Sequence, residues 1–314
     1  MRPIHANPSI RSYENRLHTL MAQQQQPTNG FFGSDSASWA IYRNPVMGLG
    51  GMRALLLQIA HPAVAQGVAR YSNFRTDTFG RAQRTFQAMA GLVFGDCQQA
   101  LQIARMLYRI HSSIKGQIGE RSFQATDPDL LLWIQATLID MAFTVFEASG
   151  QPLPASVKEQ FYKESQTMAL LMGIPPELYP KDLRAFEDYF QSMIEGDVLQ
   201  VDELTLELTE ALLHPPFLPS AIPRLLATAL LPDHLRRAFG FSYTRTQQSC
   251  FRSLCWLSRT ATNWLPNLSA APPYHLAQYR LAKAAQQRPP LLGHFYQFLS
   301  RFAPKMPTHF STKK

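Results

Sequence analysis

Nine histidines are spread along the 314 residues: His5, His18, His61, His111, His214, His234, His275, His294 and His309. No two stand three or four apart, so no helical histidine pair can clasp a metal in the HExxH manner. The three cysteines, Cys97, Cys250 and Cys255, form no CxxC. That excludes a zinc ribbon and covalent CxxCH attachment of haem. No GxxxxGK[ST], no GxGxxG after a strand and no GxSxG elbow occurs. What remains is chemistry that needs a single protein ligand, and non-covalent haem b is such a group. His111 is the candidate. Ile103, Leu107, His111, Ile114 and Ile118 recur at +4, +4, +3 and +4, one apolar stripe on one helical face. From spacing alone two readings stay open: a core histidine with one satisfied nitrogen, or a ligand. His61 is similarly set in LLLQIAHPAVAQGVA, but Pro62 follows it, so a helix kink with freed carbonyls is the alternative.

A second constellation lies upstream. Arg81, Arg84, Thr85, Ala88 and Leu92 share a stripe on a helix whose opposite stripe, Ala82, Phe86, Met89 and Val93, is apolar. The polar stripe is either solvated or lines a cavity that needs fixed positive charge and hydroxyl donors. A guanidinium keeps its proton in a protein, so it binds anions and does not ligate metal.

The elements that must position these groups are helices. Period-2 alternation never persists, whereas apolar residues at i, i+3, i+4 and i+7 dominate. The pattern predicts helices at roughly 9–22, 48–70, 78–94, 97–118, 128–149, 155–172, 182–195, 200–213, 217–230, 233–239, 242–263, 273–287 and 290–302. Asp127-Pro128 reads as an N-cap with proline at the first helical position. Gly150, Gly173 and Gly240 fall where C-terminal caps belong. The expected architecture is a single all-α domain over 45–302, with an N-terminal extension at 1–44 and a polar tail at 303–314.

Composition agrees. Hydrophobic residues make up 46% and charged residues 17%, enough for a filled core and too little charge for a disordered chain. No run approaches the ~18 apolar residues of a membrane span, and no secretory h-region is visible. Three cysteines cannot build a disulfide framework, so a reducing, cytoplasmic setting is expected. The net charge is +8. From Arg224 onward there are 13 basic residues and one acid, Asp233, whereas Lys158 to Glu210 holds 12 acidic and 4 basic residues. The expectation is that the basic third, with Arg245, Arg252 and Arg259 spaced by seven, is occupied within the fold against the acidic middle. Nucleic acid is not an expected partner; peripheral contact with a membrane surface stays open.

Five blocks in this order carry a resemblance: LLLQIAHPAVAQGV (55–68), RAQRTFQAMAGLVFGD (81–96), RIHSSIKG (109–116), DPDLLLWIQATLID (127–140) and LLPDHLRRAFGF (230–241). Together they resemble the catalytic domain of the rubber oxygenases (latex-clearing proteins) and the MpaB-type oxygenases, over roughly 45–285. The resemblance implies an all-α, globin-reminiscent haem b protein that uses dioxygen to cleave C=C bonds of isoprenoid chains. It implies that His111 is the proximal iron ligand. It also implies that Arg81, Arg84 and Thr85 lie on the distal side, Arg81 fixing the pocket or a propionate. Latex-clearing members can carry Lys at the position of Arg84, and the stretch where their pocket glutamate falls, 63–71, has no Asp or Glu here. The implied function is oxidative cleavage or oxidation of a small apolar substrate. The alternatives are a haem sensor, carrier or peroxidase-like protein, and a cofactor-free lipid-binding or scaffolding domain.

Overall fold

A computed structural model describes residues 10–24, 30–33, 35–72, 78–215 and 219–264, with side chains left out at 78–83, 86 and 261–264. The fold is all-α: thirteen α-helices and one two-stranded hairpin make up the described residues. The centre is α7 (Pro128–Ala148), apolar nearly all round, with Trp133 and Ala142 fully buried. A helix that is apolar on every side must be enclosed. α7 is long and apolar enough to cross a membrane, yet 72% of that stretch is covered by the rest of the fold. Against it lies α3 (Met47–Ile59), and around this pair pack α8 (Ala155–Met172), α9 (Leu183–Glu195) and α11 (Ala221–Leu230). Trp133 donates its indole N–H to the Leu57 carbonyl, 3.2 Å away.

A second apolar cluster joins α1 (Ile10–Ala22), α5 (Thr78–Phe94) and α6 (Cys97–Ser113) to α8. Tyr13 stacks on Tyr108 with ring centroids 4.0 Å apart, and its hydroxyl donates to Leu171 O at 2.9 Å. Hence the described part of the 1–44 extension packs onto the rest of the fold. Tyr13 and Leu17 are core residues, and α2 (Ala37–Tyr42), which the sequence pattern did not announce, is held by Glu164 of α8 accepting from the Ala37 and Ser38 amides.

Two predicted helices come out differently. The helix expected over 48–70 breaks into α3 and α4 (Pro62–Tyr71), because Pro62 brings no N–H and holds His61 extended, φ −81° and ψ 118°. The carbonyls freed at the end of α3 are taken from outside: Gln200 N donates to Ala60 O at 2.7 Å and Thr205 Oγ1 to Ile59 O at 3.4 Å. The helix expected over 97–118 stops at Ser113, and 115–124 forms a hairpin of β1 (Lys115–Ile118) and β2 (Arg121–Gln124), with Gly116 opposite Phe123. A Cβ at residue 116 would stand 2.5 Å from Cζ of Phe123, so only glycine lets that ring lie across the strand. The remaining described elements are α10 (Glu203–Leu213), α12 (Asp233–Ala238) and α13 (Arg245–Trp264), with a short 3-10 turn at Pro176–Leu178. Gly150, Gly173 and Gly240 take positive φ at the helix ends, as expected. Asp127 precedes α7, but its carboxylate accepts from Gln124 N at 2.8 Å instead of capping the helix. The helices expected at 273–287 and 290–302, and the tail at 303–314, lie outside the described residues.

Candidate functional site

His111 occupies the last turn of α6, where the second cluster gives way to the hairpin. The fully buried residues of α6 are Cys97, Ala100, Leu101, Ala104 and Tyr108; Ile103, Leu107 and His111 form the half-buried edge beside them. His111 is therefore not sealed in the core. Burial nevertheless holds its imidazole below the ordinary histidine range, so it is neutral at pH 7 with a lone pair on one nitrogen. Its ring nitrogens make no hydrogen bond among the described residues. The turn around it is fixed from both sides: Ile114 N donates to His111 O at 3.0 Å, and Ala125 N to Ile114 O at 2.9 Å.

α5 and α6 form an antiparallel pair joined at Gly95 and Asp96, and Asp96 caps α6 by accepting from Gln99 N at 2.8 Å. The two helices meet where Gly91 leaves space for the end of Ile103. Eight residues on from Ile103 is His111, and seven back from Gly91 is Arg84, each about 10–12 Å along its helix. Seven residues are nearly two turns, so Arg84 shares the face of Gly91. Arg84 and Thr85 are exposed on that helix. Arg81 belongs to the same helix, but its side chain lies outside the described residues.

His61 resolves differently. It is the N-cap of α4, and its Nδ1 accepts from Ala63 N at 3.2 Å, which leaves the proton on Nε2. Burial lowers its pKa to about 4, with Asp129 at the start of α7 pulling weakly the other way. This histidine serves the break before Pro62. α4 then packs on the hairpin: a Cβ at residue 67 would stand 3.4 Å from Ile114 Cγ2, and Tyr71 donates to Lys115 O at 2.9 Å. Ala63, Phe123 and Leu130 close a small third cluster. The blocks 55–68, 109–116 and 127–140 therefore converge around the turn that carries His111.

Two features had no signal in the sequence pattern. Arg53 of α3 clasps Asp140 of α7, Nε to Oδ2 at 2.6 Å and Nη2 to Oδ1 at 3.0 Å, and donates a further N–H to Leu230 O. The pair forms one wall of a cleft of about 420 Å³ whose other polar lining includes Lys158, Glu187, Glu195 and His234. A separate cavity of about 30 Å³ lies between α2, α5, α7 and α8, where the buried Gln135 leaves its Oε1 without a partner. Neither is lined by His111, Arg84 or Thr85. No group of three or more His, Cys, Asp or Glu suited to a metal occurs among the described residues. A single-histidine site has no need of one.

Compared with known proteins, residues 39–260 match the catalytic domain of the ER-bound oxygenase MpaB/B′ and rubber oxygenase family, and the chain belongs to that family. This places it among oxygenases, a class of oxidoreductases. The uncharacterized proteins Mb2261 of Mycobacterium bovis and Rv2237 of Mycobacterium tuberculosis are each 23% identical over 225 residues, covering 68% of this chain and 88% of theirs. No solved structure matches the chain at a significant level.

Proposed function

We propose that the protein is a haem b-dependent oxygenase that adds dioxygen across a C=C bond of an apolar, isoprenoid-like substrate. His111 is the observation that carries this: a neutral, half-buried imidazole with no hydrogen-bond partner among the described residues, at the point where three family blocks converge. That state suits a residue that would hold haem iron, because the lone pair is neither protonated nor engaged by a bond among the described residues. When bound, haem b supplies an iron that activates dioxygen.

The chain's own groups do the rest. His111 would hold the haem iron through one ring nitrogen. Arg84, a permanent cation, and Thr85, a hydroxyl donor, would supply hydrogen bonds to a bound oxygen ligand. Arg81 fixes the pocket or pairs with a propionate. The three cysteines are free thiols, which suits a reducing, cytoplasmic compartment. The exposure of Arg84 and Thr85 favours one second reading: a haem protein without oxygenase activity, in which Arg84 holds only a propionate. Oxygen uptake by the haem-loaded protein with a polyprenoid, together with mass analysis for carbonyl-ended fragments, separates the two. The oxygenase gives both signals. Stable haem with no uptake on any polyprenoid tested gives the second.

A further inference from the structure

α13 presents two exposed features on adjoining faces. Its sequence, RTQQSCFRSLCWLSRTATNW, contains three arginines and no acid. Arg245, Ser249, Arg252, Trp256 and Arg259 follow at +4, +3, +4 and +3, so they share one stripe. All five are exposed, Trp256 by 57%, and Leu257 beside it by 55%. The buried face is a different one, centred on Phe251 and Cys255. Within the described residues this departs from the expectation that the basic third is occupied inside the fold; the basic residues after Trp264 lie outside the described residues. Arg224 does pair with Glu210 at 3.3 Å, and Arg236 with Asp233 at 2.5 Å, but Arg245, Arg252 and Arg259 make no ion pair among the described residues.

We infer that this stripe is a docking surface for an anionic lipid bilayer. Two large apolar side chains set among arginines suit a membrane interface. The indole and the leucine enter the headgroup boundary, and the guanidiniums stay level with the phosphates. Charge complementarity selects this occupant over a second copy of the chain, since stacking two such stripes would set arginine against arginine. The inference is independent of haem binding. Its consequence for the proposed oxygenase is access to apolar substrates dissolved in the bilayer.

The test is flotation of the full-length protein with vesicles of phosphatidylcholine alone and of phosphatidylcholine mixed with phosphatidylglycerol, at low and high salt. The expected result is binding to the anionic vesicles only, weakened by salt. The triple variant R245Q/R252Q/R259Q should lose on the order of 100-fold in affinity, and W256S/L257S about 10-fold, both keeping the wild-type circular dichroism. Absence of binding by the full chain overturns the inference. So does binding that neither variant weakens, which would place the contact elsewhere in the chain. Tighter binding to DNA than to the vesicles, or a dimer that W256S/L257S dissociates, also overturns it.

Discussion

Two helix breaks in this protein each carry a histidine, and they use it in opposite ways. At the α3–α4 junction His61 spends Nδ1 on the first free amide of α4, and the neighbouring carbonyls are met by Gln200 and Thr205. At the α6–β1 junction the backbone is equally well tied, through Ile114 and Ala125, but the imidazole of His111 takes no part in it. Both rings are half-buried and both are held neutral by burial. One is consumed by the architecture; the other keeps a lone pair that no bond among the described residues engages.

The comparison breaks most visibly in turnover. Arg84→Ala should keep its haem and lose on the order of 10²–10³ in rate, as for loss of one preorganised donor. Haem loss with unchanged kinetics in the residual holoprotein would move Arg84 to a propionate. Acid sensitivity sharpens the comparison next. His61 titrates near 4 in the folded protein and near 6.5 in an unfolded chain. Between those values the unfolded state binds the extra proton. Stability therefore falls as pH drops from about 6.5 to about 4, by on the order of 2–3 kcal/mol from this residue. His61→Asn preserves a cap acceptor and removes the titration, so urea unfolding should match wild type at pH 7 and show a flatter decline in acid. An unchanged decline would assign the acid loss to other groups.

The smallest effects concern the hairpin behind His111. Gly116→Ala forces a Cβ against the Phe123 ring and should cost about 1–3 kcal/mol by denaturant unfolding. Gly67→Ala, within α4, puts a Cβ at ordinary contact distance from Ile114 Cγ2 (3.4 Å) and Phe123 Cε2 (3.9 Å), and should be neutral or stabilise by up to about 1 kcal/mol. Equal costs at the two sites would mean that Phe123 is not the constraint.

Much of this was legible before the structure. Asp127-Pro128 marked the start of α7, and three glycines marked helix ends. What stayed hidden has physical causes. Ile114 and Ile118 continue the periodicity of α6, so the four-residue strands were masked by a helix pattern. Arg53 and Asp140 are joined across 87 residues, a pairing no local window contains. α13 carries two apolar stripes, one through Cys250, Leu254 and Leu257 and one through Phe251 and Cys255, and composition does not rank them. In the structure Cys250 and Leu257 are exposed, while Phe251 and Cys255 go inside. Of the candidate site, the stripe through Ile103 and Leu107 named His111, whereas the capping bond that occupies His61 became visible only in the fold, because it depends on the break before Pro62.

The most direct test is haem stoichiometry, read from the Soret band and pyridine haemochrome of wild type, His61→Ala and His111→Ala, all expressed with ample haem. The account predicts about one haem b per chain in wild type and in His61→Ala, where loss of the cap costs only about 1 kcal/mol of stability. It predicts loss of most haem in a folded His111→Ala. A colourless wild type, or a His111→Ala variant with an unchanged Soret band, would contradict it.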